Sequence, residues 1–165
     1  MLSSIGKWKV FALETGEFRL DGGAMMGAVP KTLWEKTNPA DEFNRIDLSL
    51  RCLLLDDGEN RVLIDTGLGT KGSEKFKTMF HLVQPENPLK QALSNIGFSP
   101  TDVTHVIFSH LHFDHAGGAT ELNEEGQPVP AFPNAEYFIT ESQWKQANQP
   151  NTRDRASFLQ ADFLP

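Results

Sequence analysis

Apolar positions along the chain fall into short runs with two different periods. Trp8 to Leu13 and Glu17 to Leu20 flank Thr15-Gly16, and Leu48 to Leu55 and Arg61 to Thr66 flank Asp56, Asp57 and Gly58, so both pairs predict hairpins. In the second pair the runs Cys52-Leu53-Leu54-Leu55 and Val62-Leu63-Ile64 are unbroken, a pattern suited to a sheet covered on both faces. Between the hairpins, Asp21 to Asp47 is irregular and carries Gly22, Gly23, Gly27, Pro30 and Pro39. A loop of that length either plugs the core edge or, through Met25, Met26, Trp34 and Phe43, forms the apolar wall of a substrate pocket.

After the second hairpin the period changes. Asn87 supplies an N-cap, Pro88 the first helical position, Leu89, Leu93 and Ile96 a helical stripe, and Gly97 a stop. The turn Ser99-Pro100-Thr101-Asp102 leads into a β-branched and aromatic run, Val103 to Ser109, which predicts a strand. Ala135 to Thr140 reads as another strand, and Thr140 with Gln143 matches a capping box opening a helix that carries Trp144. Strand, helix and strand in succession predict an α/β layer with a parallel crossover.

Composition narrows the classes. The 165 residues suit one domain, and 15 basic against 22 acidic residues give a net charge of −7 with no basic cluster, so a nucleic-acid partner is not expected. A single cysteine, Cys52, excludes an internal disulfide, and neither a signal peptide nor a membrane-spanning run is present, so a soluble, cytoplasmic protein is expected.

The chemistry sits directly after the strand that ends at Ser109. His110, His112, Asp114 and His115 place three of the five histidines within six positions, followed by Gly117 and Gly118. A chance H-x-H-x-D-H in a chain of this composition has a likelihood of about three in ten thousand. In extended backbone, residues two apart point the same way, so His110 and His112 share one cation while Leu111 turns inward. As the chain bends after Phe113, Asp114 and His115 diverge from that pair and reach a second cation.

This motif resembles the signature of the metallo-β-lactamase superfamily of metal-dependent hydrolases. Asp65, at the end of an aliphatic run before Thr66-Gly67, matches the aspartate of that family that orients the metal-binding loop through hydrogen bonds. The general layout is most similar to the lactonase and organophosphate-hydrolase relatives. The resemblance implies an αββα sandwich and two divalent metal ions: zinc first, manganese or iron by the same donor types. It further implies a hydroxide between the metals that attacks an ester, lactone, thioester or phosphoester of a small molecule, with Asp114 delivering a proton to the leaving group.

The family's later ligands have no candidate here. No histidine follows His115, while Asp154 falls in a helical segment and Asp162 at a frayed end. His81 and His105 read as structural or surface residues, and Arg45, Arg153 and Arg155 as solvated ones. Each metal is left with two ligands, fewer than stable sites use. The chain is therefore expected to be the N-terminal half of a single metallo-hydrolase domain, residues 1–165, cut at its C-terminus. Half a sandwich exposes an apolar sheet face, so dimerisation or poor solubility is expected. The alternatives are a non-catalytic module on the same fold, or a nucleic-acid phosphodiesterase of the same superfamily.

Overall fold

The computed structural model describes residues 3–165. Eight strands are present among them: β1 (Ser3–Ile5), β2 (Trp8–Asp21), β3 (Arg45–Asp56), β4 (Arg61–Ile64), β5 (His105–Ile107), β6 (Thr120–Leu122), β7 (Pro128–Pro130) and β8 (Glu136–Phe138). The helices are α1 (Gly22–Met26), α2 (Lys31–Trp34), α3 (Glu74–Met79), α4 (Pro88–Ser94), α5 (Phe113–Ala116) and α6 (Glu141–Asn148). Six strands form one mixed sheet in the order β1-β2-β3-β4-β5-β8, and β6 and β7 pair separately.

The second predicted hairpin is present as antiparallel β3 and β4. The first is not. Thr15-Gly16 is a β-bulge inside the single strand β2, which pairs with β3 along its whole length, from Lys9 opposite Asp56 to Asp21 opposite Arg45. A turn here would abandon that ladder, whereas one extra residue is absorbed by a bulge. Gly16 fits because a Cβ would sit 2.7 Å from the Val83 carbonyl oxygen. The hairpin at this end is instead β1 with β2, closed by Gly6-Lys7. Two short helices, α1 and α2, interrupt the long irregular stretch. Trp34 is buried there as core filler, while Met25 and Phe43 are exposed and wall no pocket at the histidines.

The predicted crossover holds: α4 connects β4 to β5, which lie parallel. Leu54, Leu63, Val106 and Leu93 are fully buried on the face that α4 covers, joined by Ala147 of α6 and by Phe158. Burying each such aliphatic side chain contributes about 2 kcal/mol. The opposite face is only partly covered, contrary to the expectation of cover on both sides. Val62, His105, Ile107 and Phe138 line a shallow open depression there, with Ile107 and Phe138 both about two-fifths exposed. At α6, Thr140 accepts a hydrogen bond from the Gln143 amide, but the Gln143 side chain turns to Gln146, so only half of the capping box forms. Among the described residues no helix is long and apolar enough to cross a membrane.

Candidate functional site

Parallel pairing of β4 and β5 sets Ile64 opposite Ile107, so the residues that follow each strand emerge side by side at the carboxyl ends. Asp65 leaves β4 with φ of 57°, a left-handed conformation that lets its carboxylate fold across to the next loop. Its amide donates to the Ile107 carbonyl at 3.0 Å. Its Oδ1 accepts from the Ser109 amide at 2.8 Å, and its Oδ2 accepts from Ser109 Oγ at 2.7 Å and from His115 Nδ1 at 2.9 Å.

The Ser109 hydroxyl has one hydrogen, committed to Asp65, so its oxygen accepts from His110 Nδ1, 3.0 Å away. Both His110 and His115 thereby carry their proton on Nδ1. Their Nε2 atoms keep free lone pairs, the form a cation needs. Leu111 is buried in the core, as expected, which leaves His110 and His112 facing outward together with ring centroids 4.6 Å apart. The His115 ring comes back toward the first of them and lies 3.9 Å from that of His110. The cause is α5, whose single turn brings the His115 amide back onto the His112 carbonyl at 2.9 Å. Asp114 Oδ2 stands 3.5 Å from His115 Nε2.

Burial, followed by the neighbouring imidazoles, holds His110 below the ordinary histidine range, and burial does the same at His112 against the pull of Asp114. Both are neutral near pH 7. At His115 burial pulls the same way but is outweighed by the Asp65 hydrogen bond and the Asp114 charge, so its proton affinity is raised. Burial pushes the Asp65 carboxyl up, yet the hydrogen bonds from His115 and Ser109 outweigh it and hold the group below the usual carboxylate range.

The far limb of this loop is held by the segment after Asp65. Thr66 donates to the His115 carbonyl from its amide at 2.7 Å and its hydroxyl at 2.9 Å, and the Gly118 amide donates to the Gly67 carbonyl at 3.2 Å. Glycine is obligatory where the two segments touch, because a Cβ on Gly117 would lie 2.1 Å from the Leu68 carbonyl oxygen. A cavity of about 670 Å³ opens beside the loop, lined by Leu68, Phe76, Phe113 and Phe158 among others. Phe158 packs edge-on against His112 at 4.7 Å.

All five residues singled out from the sequence, Asp65, His110, His112, Asp114 and His115, meet here. Ser109 and Thr66 are additional; their positions beside the two motifs are the only sequence signal for them. His105 lies on the open sheet face stacked on Phe138, and His81 is exposed. Arg153 and Arg155 are exposed, but Arg45 is tied to Asp41 at 2.8 Å and to the Met79 carbonyl rather than solvated. Asp162 is buried rather than frayed, and pairs with Lys71 at 3.1 Å. Neutral imidazoles and one carboxylate suit a borderline divalent cation. Among the described residues no three His, Cys, Asp or Glu side chains are arranged to hold one metal ion, so the donors fit as part of a ligand set.

A family model described as the Metallo-beta-lactamase superfamily matches residues 47–158. An N-acyl homoserine lactonase of Bacillus cereus is 29% identical over 131 residues, covering 74% of this chain and 46% of the relative. The crystal structure of a probable metal-dependent hydrolase from Staphylococcus aureus superposes with a TM-score of 0.86 at 34% identity, covering 97% of this chain and 56% of that one. AidC, a dizinc quorum-quenching lactonase in complex with a product, superposes with a TM-score of 0.67 at 26% identity, covering 92% of this chain and 48% of that one. The chain thus spans about half the length of these similar proteins.

Proposed function

This chain belongs to the metallo-beta-lactamase superfamily, and we propose that it is the N-terminal part, residues 1–165, of a metal-dependent hydrolase that opens a small-molecule lactone. The observation that carries the reading is the meeting of His110, His112 and His115 at one strand end, with Asp65 fixing two of the three rings. His110 and His112 would hold one divalent ion, and Asp114 and His115 a second; zinc suits these donors first, and manganese or iron come next. Such ions lower the pKa of bound water to about 7, which makes hydroxide available at neutral pH.

The protein's own residues do the rest. Asp65 and Ser109 keep the ring tautomers fixed, and Asp114, not engaged by Asp65 or Ser109, is the group placed to pass a proton to the leaving alkoxide. The apolar cavity bounded by Phe76, Phe113 and Phe158 suits an acyl chain. Lactone is preferred among ester-type substrates because the similar proteins include an N-acyl homoserine lactonase. Continuation beyond Pro165 is supported by the roughly doubled length of those proteins, by the two ligands left to each ion, and by the open apolar sheet face.

The test is metal analysis and a pH-stat assay on N-acyl homoserine lactone, using protein expressed from the complete reading frame. About two equivalents of metal and chelator-sensitive lactone opening are expected. Protein that takes up no metal would leave a non-catalytic module on this fold as the better reading.

A further inference from the structure

Lys71 follows the Thr66–Gly69 segment and points inward, its side chain only 10% exposed. An ammonium has three donors, and here three acceptors surround it: the Gly117 carbonyl, the Thr120 carbonyl at 2.8 Å, and Asp162 Oδ1 at 3.1 Å. Two of them belong to the limb leaving the histidine loop. The third belongs to the segment 155–162, which is also held by Thr120 Oγ1 donating to the Ala161 carbonyl at 2.7 Å and which carries Phe158 onto His112.

A buried ion pair is a poor way to gain stability, because desolvation offsets the attraction between the charges. This pair is poorer than most, since Asp162 Oδ2 has no partner. Burial accordingly pushes the Asp162 carboxyl up in spite of the lysine. What the arrangement does supply is direction: one charged group joins three main-chain segments at the point where Gly69, Gly117 and Gly118 bring backbones into contact.

We propose that Lys71 is a positioning residue, a clamp that fixes the outgoing limb of the histidine loop and the Phe158 segment together and so holds His112 and His115 in place for metal. Its purpose rests on the metal-centre reading above; the clamp itself is a property of this chain's packing. A lysine in a polar, glycine-rich stretch reads as a surface residue, so the sequence alone gives no hint of it.

The test compares wild type, Lys71→Met and the double variant Lys71→Met/Asp162→Asn, each expressed from the complete reading frame. The single variant strands a buried carboxylate and is expected to be destabilised throughout; the double variant removes that charge. In the metal-free double variant, amide hydrogen exchange at Thr66, Ala116 and Gly118 is expected to be at least about tenfold faster than in wild type, with Leu54, Leu63 and Val106 unchanged. Zinc affinity, read by competition with a chromophoric chelator, is expected to fall by at least about tenfold.

Loop protection equal to wild type overturns the clamp. So does a uniform loss across loop and core, the mark of a merely structural residue, or a local loss that leaves zinc affinity untouched. Wild-type protein that takes up no zinc would overturn the metal-centre reading instead, and the exchange comparison would still decide whether the clamp exists.

Discussion

Asp65 offers the sharpest quantitative test, because one carboxylate serves three donors from a left-handed backbone position. Asparagine keeps the shape and tolerates that conformation, but its amide nitrogen must face donors, either Ser109 Oγ and His115 Nδ1 together in the place of Oδ2 or the Ser109 amide in the place of Oδ1. The least costly repair turns the Ser109 hydroxyl and moves the His115 proton to Nε2. With hydrogen bonds to charged groups worth about 1.5–3 kcal/mol each, and this repair available, Asp65→Asn is expected to cost about 2–3 kcal/mol. That corresponds to a fall in Tm of about 5–10 °C for a chain of this size. Asp65→Ala loses all three bonds and adds left-handed strain, so it should fall below Asp65→Gly by about 1 kcal/mol. The pH dependence has a definite sign. The lowered Asp65 carboxyl contributes stability that is present above its unfolded value near 4 and lost as pH falls through the native one. The raised His115 contributes stability that is full below about 6.5 and lost as pH rises through its native value. The gap between wild type and Asp65→Asn should therefore be widest near pH 5–6 and close on both sides. Urea unfolding of metal-free protein measures the gap, and long-range nitrogen–proton correlation reads the tautomer. An unchanged midpoint together with a proton still on Nδ1 in the variant would refute the reasoning.

Other expectations follow from packing. Gly117→Ala should cost more than about 3 kcal/mol because its Cβ meets main chain at 2.1 Å, while Gly126→Ala, with φ of 74° and nothing within 4 Å, should cost about 1 kcal/mol; thermal unfolding of both separates contact from strain. Burial pushes the Cys52 thiol up to about 12, leaving a thiolate fraction of about one in ten thousand at pH 8. A disulfide reagent should therefore label Cys52 only on unfolding, and prompt labelling of the native protein would contradict that placement. The open sheet face should drive association of residues 1–165, and Ile107→Thr with Phe138→Thr should shift sedimentation toward monomer; a wild-type monomer would count against a face that seeks cover.

What the sequence disclosed follows from how local each signal is. Leu89, Leu93 and Pro88 define α4 within one stretch of chain, and the β3–β4 hairpin is equally local, so both are readable by pattern. The Thr15-Gly16 bulge is not, because whether those residues turn or continue depends on β3, some 35 positions away. The histidine motif is dense enough to mark itself, and Leu111 shows why alternation works there: one side chain goes in and its neighbours go out. The approach of His115 to His110 escaped the pattern because α5 is a single turn, too short for any periodicity to show. Lys71 and Asp162 were hidden for a different reason. They are 91 positions apart, and each alone reads as an exposed charge.

The His110 ring has the imidazoles of His112 and His115 at 4.6 and 3.9 Å, and the electrostatics of that cluster explain much of the surrounding structure. Protonating more than one of them would set like charges side by side in a partly desolvated loop, at a cost that grows as the local dielectric falls. The fold meets this by sorting them. Burial keeps His110 and His112 neutral, while Asp65, from below, lets His115 alone retain the stronger hold on a proton. That carboxylate reaches His115 only because residue 65 adopts a left-handed conformation costing about 1 kcal/mol, and it reaches His110 only through the Ser109 hydroxyl. Strain at Asp65 and the glycine contacts at 69, 117 and 118 therefore serve one end: imidazoles of His110 and His115 whose Nδ1 protons are held by Ser109 and Asp65 and whose Nε2 lone pairs are left free.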